Sequence, residues 1–375
     1  MKTISNKSNW AIDIRLPFMK FLCPALAFAC ALGSQVAIAG DLEDAEAARD
    51  RKDYVKAVSL FRKAASDGDA VAQFKLGGMV ARGEGVKADV AEAVSLLTQS
   101  AKQGYAPAQN SLGVRYEKGL GVARDLARAT ALFQQASEQR YGLAQGNLSD
   151  FYVQGLGVPK DMVLAHVWSN LASVNGEARA ARKRPAMERT FTLSQRSEAE
   201  TNLATMFSRG RGVEKDAKRA ASLFQTAAER GYAVAQFELA ECYDKGVGIA
   251  QDYRLAAQWY EKGASQGHAR AQMSAAYMYE IGQGVPKDAR RAVHWYLQAA
   301  AKGEAIAQYN LGALLASGRG VEQDNVEALK WLNIAEANGS KQAAESRRLV
   351  EGLITPEQIA EAKKRADAWS KINSR

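Results

Sequence analysis

Cysteine and histidine are scarce in this chain, with three of each in 375 residues. Cys23 and Cys30 stand near the start, so residues 40–375 keep only Cys242 and no intramolecular disulfide can staple them. Stability there has to come from packed surface. His166, His268 and His294 fall at unrelated points of the pattern described below, and neither C-x-x-C nor H-E-x-x-H occurs. No metal site and no cofactor is therefore expected. A strong charge imbalance is missing too. The formal net charge is +9, and Lys2, Lys7, Arg15 and Lys20 against Asp13 account for three units of it, leaving residues 40–375 near +6. So modest an excess does not mark a nucleic-acid binder. The chain also lacks a long apolar run: Phe21 to Leu32 is too short and too interrupted to cross a bilayer.

That run has another reading. It follows a basic start and precedes Ala37-Ile38-Ala39 and then Gly40, which is the layout of a secretory signal peptide with an A-x-A cleavage site. Residues 1–39 are expected to be removed, leaving no stable transmembrane segment, and Met19-Lys20 offers an alternative start of more typical length. Ala27 stands where a lipoprotein signal before Cys30 would want Leu, so lipidation is not expected. Export places the protein in the periplasm or outside the cell and makes nucleic acid an improbable partner.

What the sequence has in quantity is a repeat. Gly-x-Gly pairs recur at Gly83/Gly85, Gly119/Gly121, Gly155/Gly157, Gly210/Gly212, Gly246/Gly248, Gly282/Gly284 and Gly318/Gly320. The spacing is 36 residues except for one interval of 55. A fixed period in this range marks a solenoid built from one stacked supersecondary unit. In the copy Ala106–Tyr141, Ala108, Leu112, Gly113 and Tyr116 form one apolar face, which predicts a helix A over Pro107–Lys118. Gly119 suits the left-handed residue that ends a helix. Four residues after the second Gly stands Asp89, Asp125, Asp161, Asp216, Asp252, Asp288 or Asp324, the N-cap of a helix B. Ala and then a large residue follow, among them Trp168, Trp259, Trp295 and Trp331.

The columns Ala…Leu-Gly-x-x-Tyr…Gly-x-Gly-Val…Asp-x-x-x-Ala…Trp…Ala-Ala-x-x-Gly resemble the Sel-one-like repeat family, the 36-residue relatives of tetratricopeptide repeats, from about Asp69 to Ser340. The resemblance implies an all-α fold, a right-handed α-solenoid of helix-turn-helix repeats with helix A on the concave side. It implies a non-enzymatic scaffold for protein partners, since such relatives serve as adaptors in envelope assembly, polysaccharide export and regulation of sensor kinases. The alternative it carries is cell-wall or β-lactam binding with weak hydrolysis, reported for cysteine-rich members. This chain lacks their paired cysteines and shows no Ser-x-x-Lys in a plausible setting.

The expected organisation is a degenerate capping unit at 40–68, repeats one to three at 69–176, an inserted helical segment at 177–200, repeats four to seven at 201–340 and capping helices at 341–375. The insert has internal logic. His166-Val-Trp-Ser-Asn-Leu-Ala-Ser-Val-Asn-Gly176 parallels Leu329-Lys-Trp-Leu-Asn-Ile-Ala-Glu-Ala-Asn-Gly339, and in the family such an ending closes an array. Two arrays in series, Asp41–Thr192 and Leu193–Arg375, are predicted, with a change of direction near 177–200.

Chemistry is weak by comparison. The Gly-x-Gly-Val loops lack the Lys-Ser/Thr of a phosphate-binding loop, and the Asp column is already used as caps. Most Trp and Tyr columns belong to the core. What remains is a surface on helix A, two residues before, two after and five after the Leu column. Repeats five to seven place Phe237, Met273, Tyr277 and Tyr309 there beside Glu241, Asp244 and Glu280. Aromatic and Met anchors among carboxylates suit a protein or peptide segment with basic and apolar residues.

Overall fold

The structure is a computed structural model that describes residues 40–373; the expected signal segment lies outside the described residues. All regular elements among them are helices. The chain forms an all-α solenoid of helix-turn-helix repeats. It divides into two units at Leu96/Leu97. The first holds α1 (40–50), α2 (Tyr54–Ser66), α3 (Ala70–Arg82) and the start of α4 (Val90–Lys102). Phe61, Leu76 and Met79 form its core with a series of alanines.

The second unit alternates helices A and B. After the end of α4 come α5 (Ala106–Lys118) and α6 (Leu126–Glu138), then α7 (Gly142–Gln154) and α8 (Met162–Val174). Helices α9 (Ala178–Glu188) and α10 (Leu193–Arg209) follow, and α11 (Ala217–Glu229) completes the next repeat. The later pairs are α12 (Ala233–Lys245) with α13 (Tyr253–Ser265), α14 (Ala269–Ile281) with α15 (Ala289–Ala300), and α16 (Ala305–Ser317) with α17 (Asn325–Ala337). The unit closes with α18 (Lys341–Glu351) and α19 (Pro356–Asn373).

Local chemistry sets these boundaries. The first Gly of each pair is the left-handed C-cap of helix A, with φ from 59° to 77°. Each Asp of the column accepts the backbone N–H three residues on, at 2.8–3.0 Å. Asp288 takes two such donors, from Arg290 and Arg291. Asp288→Ala should therefore cost about 0.5–2 kcal/mol in a chemical-denaturation curve. Loss of function without that shift would point to a role beyond capping.

A second column escaped the sequence reading. The buried amide of Gln109, Gln145, Gln236, Gln272 or Gln308 donates to a carbonyl eight residues earlier, at the end of the preceding helix B. In four cases its oxygen accepts from Gln139, Asn175, Gln266 or Asn338, thirty residues later, so the column bridges repeats. Glu200 and Arg230 fill the same two places as an ion pair at 2.7 Å. In the sixth repeat the later place is Lys302, which donates instead to the Gly267 carbonyl. The Gln272 oxygen is left buried and without a partner. Lys302→Gln should supply the missing donor and raise stability by about 0.5–1.5 kcal/mol, visible as a higher melting temperature. An unchanged or lower melt would refute that account of the column.

The segment between repeats three and four forms α9 and the start of a single long helix, α10. Helix α9 packs on α8 and touches α7, in the place a further helix A would take. The Ser169 hydroxyl donates to the Ala180 carbonyl, and His166 pairs with Glu188 at 2.8 Å. Helix α10 opens on a reciprocal capping box between Thr192 and Gln195 and also packs on α8. Helices α18 and α19 repeat the arrangement on α17, with the box at Thr355 and Gln358 and Trp369 edge-on to Trp331 at 5.5 Å. One difference between junction and ordinary repeat decides direction. In ordinary repeats such as the fifth and sixth the second Gly turn lies against the start of the preceding helix B, as Gly248 does at Ala217 and Gly284 at Tyr253. The Gly212 carbonyl instead receives Gln145 at 2.6 Å and Asn175 at 2.9 Å, beside the end of α8. Helix α10 thus runs in the same sense as α8, where a regular helix A runs against its predecessor.

Candidate functional site

The helix-A face of α12, α14 and α16 carries the seven residues singled out from sequence, and the structure separates them. Tyr277 is the exposed one, at 43%. Met273 and Tyr309 are half-buried, each leaning on the core with part of its surface open. Phe237 does not belong to the surface. It is 2% exposed, stacks on His268 at 4.9 Å, tilts against Tyr260 at 5.8 Å and is covered by the Arg270 guanidinium at 4.5 Å. The position two before the Leu column leans into the seam between its own helix B, which supplies Tyr260, and the next helix pair, which begins at His268. The shared face inferred from helical spacing is narrower than expected.

The carboxylates are only partly free. Glu241 accepts the Tyr260 hydroxyl at 2.7 Å and pairs with Lys245 on its own helix. Glu280 accepts the Tyr296 hydroxyl at 2.8 Å, with Arg319 3.8 Å away. Tyr260 and Tyr296 come from helices B and are almost fully buried. Burial, reinforced by the neighbouring carboxylate, raises both phenols far above the usual range, so they act as permanent donors. Each Glu thereby ties helix A to the following helix B and keeps one oxygen edge toward the surface. Asp244 holds its proton more tightly than a free carboxylate because it is half-buried and faces Glu241.

The sequence reading missed the position just before the Leu column. Lys75, Ser111, Asn147, Asn202, Glu238, Ser274 and Asn310 are all polar and all half-buried, and that run of polar residues was legible. Glu238 is the most consequential. Burial raises its carboxyl pKa, Arg270 opposes the shift and Glu241 adds to it. Asn310 donates to the Tyr296 hydroxyl at 3.3 Å, joining the column to the Glu280 bridge. The face is therefore a mesh of Tyr, Glu and Asn with one exposed aromatic ring.

It offers little chemistry of its own. Cys242 lies under it, buried, and that burial pushes its thiol up to about 11, away from thiolate reactivity. Among the described residues no group of His, Cys, Asp and Glu is arranged to hold a metal ion. No helix among them is long and apolar enough to cross a membrane.

A family model, Sel1 repeat, matches residues 50–69, 70–105, 106–141, 142–176, 197–232, 233–268, 269–304 and 305–340. The chain belongs to the Sel1 repeat family. The model's gap between 176 and 197 coincides with α9 and the start of α10. Its first match, 50–69, overlaps the stretch read from sequence as a degenerate capping unit. Sel1 repeats are in general non-catalytic protein–protein interaction scaffolds.

Solved structures of this kind include c5321, a protective antigen present in uropathogenic Escherichia coli strains and displaying an SLR fold. It is 26% identical over 90% of this chain and 85% of its own, with a TM-score of 0.44. A Sel1 repeat protein from Oxalobacter formigenes is 27% identical over 69% of this chain and 96% of its own, with a TM-score of 0.35. Among curated proteins no sequence matches.

Proposed function

We propose that this Sel1-repeat chain is an exported, non-enzymatic docking scaffold of a bacterial envelope. Its helix-A face over α12, α14 and α16 takes a protein segment that combines Lys or Arg with an apolar anchor. The observation that carries the reading is Tyr277, a large ring 43% exposed on α14, the helix that also carries the Glu280 bridge. An isolated solenoid gains nothing by leaving that ring in water, whereas an interface gains most from a central aromatic ringed by polar groups. The carboxylates beside it favour a cationic partner and make the association salt-sensitive. Export is supported by the basic start, the apolar run and Ala37-Ile38-Ala39. An adaptor or regulator in envelope assembly, polysaccharide export or a sensor-kinase system fits such a surface.

The test begins with capture of partners from the envelope fraction, followed by titration of the captured protein. Tyr277→Ala should weaken binding by about 2 kcal/mol, the hot-spot scale, with helicity unchanged. Glu241→Gln with Glu280→Gln keeps acceptors for both tyrosine hydroxyls and should flatten the salt dependence. If both variants bind like the parent, the face is not the interface. Turnover of nitrocefin by the purified chain would overturn the non-enzymatic reading. An N-terminus other than Gly40 on protein recovered from the periplasm would overturn the cleavage site.

A further inference from the structure

The two array endings provide an internal comparison. Helices α9 and α18 do the same structural work, each closing an array by packing on the last helix B. Their buried contacts are alike and small: Ala180 and Met187 in one, Ala343 and Val350 in the other. Their charges are not alike. Residues 178–189 carry Arg179, Arg182, Lys183, Arg184 and Arg189 against a single acid, Glu188. Residues 341–352 carry Lys341, Arg347 and Arg348 against Glu345 and Glu351. Closing an array therefore does not require the positive charge of α9.

The placement of that charge is also specific. Arg179, Arg182, Lys183 and Arg189 are exposed, and spacings of three, four and seven put them on the outward face of α9. Arg184 turns the other way, 2.9 Å from the Asn170 side chain and 3.4 Å from Glu188. Lys183 is held by Asp150 and Arg179 by Glu177, whereas Arg182 and Arg189 make no ion pair with any described residue. The strip between Arg179 and Arg189 is about 15 Å long at the helical rise.

We propose that the outward face of α9 is a second docking surface, which takes an acidic protein segment. Its chemistry is opposite to that of the helix-A face of α12, α14 and α16, so the two surfaces select different partners. Three of the four outward cations are Arg, whose planar fork pairs with carboxylates through two parallel hydrogen bonds. The length suits roughly three turns of an acidic helix. A membrane surface is the less fitting partner, because the other exposed residues of α9 are Ala178, Pro185, Ala186 and Glu188 and none is a bulky apolar side chain that could insert into lipid. The surface also lies beside α7 in the row of helices A.

The experiment uses the purified chain and a fluorescein-labelled peptide of alternating Glu and Ala, followed by anisotropy at low ionic strength. The parent should bind, and added salt should release the peptide. Arg182→Glu with Arg189→Glu should weaken binding by at least about tenfold while helicity and melting change little, since neither side chain makes an ion pair. The matched pair on the other ending, Lys341→Glu with Arg348→Glu, should leave binding within about twofold. Equal losses from both pairs, or no binding by the parent, overturn the proposal. Phosphatidylglycerol vesicles form the last arm. If they bind the parent and lose binding in the α9 pair while the peptide does not, the surface belongs to anionic lipid and the acidic-segment proposal is wrong. Tyr277→Ala should leave peptide binding intact, which keeps this result separate from that of the helix-A face.

Discussion

Phe237→Ala is expected to destabilise the second array by about 3–5 kcal/mol, the range for deleting a buried aromatic side chain. The ring is 2% exposed and fills a pocket made by His268, Tyr260 and the Arg270 guanidinium. Removal leaves a cavity between two successive helix pairs, and a solenoid passes such a loss to its neighbours because each repeat is stabilised by the next. The measurement is urea denaturation followed by helical circular dichroism. Partner affinity, compared where both proteins are folded, should be unchanged, in contrast to Tyr277→Ala. Lost affinity with unaltered stability would return Phe237 to the surface and erase the distinction between the two aromatic positions.

Gly248→Ala should be nearly as damaging, about 2–5 kcal/mol, from a left-handed backbone penalty of roughly 1–2 kcal/mol and a steric overlap of roughly 1–3 kcal/mol. The residue has φ 77°, and an added Cβ would meet the Ala217 carbonyl oxygen at 2.0 Å. The carbonyl begins helix α11 and has nowhere to retreat. Gly231→Ala is the control. It shares a positive φ of 90° but has nothing within 4 Å of the added atom. Only the backbone penalty applies there, so the smaller loss should isolate the close approach. Equal losses for the two substitutions would mean that the second Gly of the pair serves only its own turn and not the stacking of repeats.

Much of the fold was legible because the repeat multiplies weak signals. One Asp before an apolar run is an ambiguous cap; seven at a fixed offset from a Gly pair are not, and all seven accept the expected N–H. The glutamine column was equally periodic, yet its meaning was hidden. A buried Gln reads as an ordinary polar residue until its partner, thirty residues away, is seen at 2.7–2.9 Å. The proposed docking face was legible in outline only. Helical spacing places positions two before and two after the Leu on one side of an isolated helix, but the neighbouring pair covers the first of them. Phe237 was misplaced for that reason, and Glu238 and Asn310 were missed although their column is polar in every copy.

The sequence alone determined the period and the helix ends, since these depend on residues within about one repeat of each other. Left-handed turns, caps and apolar faces are local properties, and a one-dimensional stack adds no distant pairing to override them. Tertiary structure decided what happens between repeats. It made Glu241 and Glu280 acceptors for buried tyrosines, set Gly212 between Gln145 and Asn175 and ran α10 alongside α8. Those outcomes turn on which side of a helix its neighbour covers, a question of packing that composition and spacing do not specify.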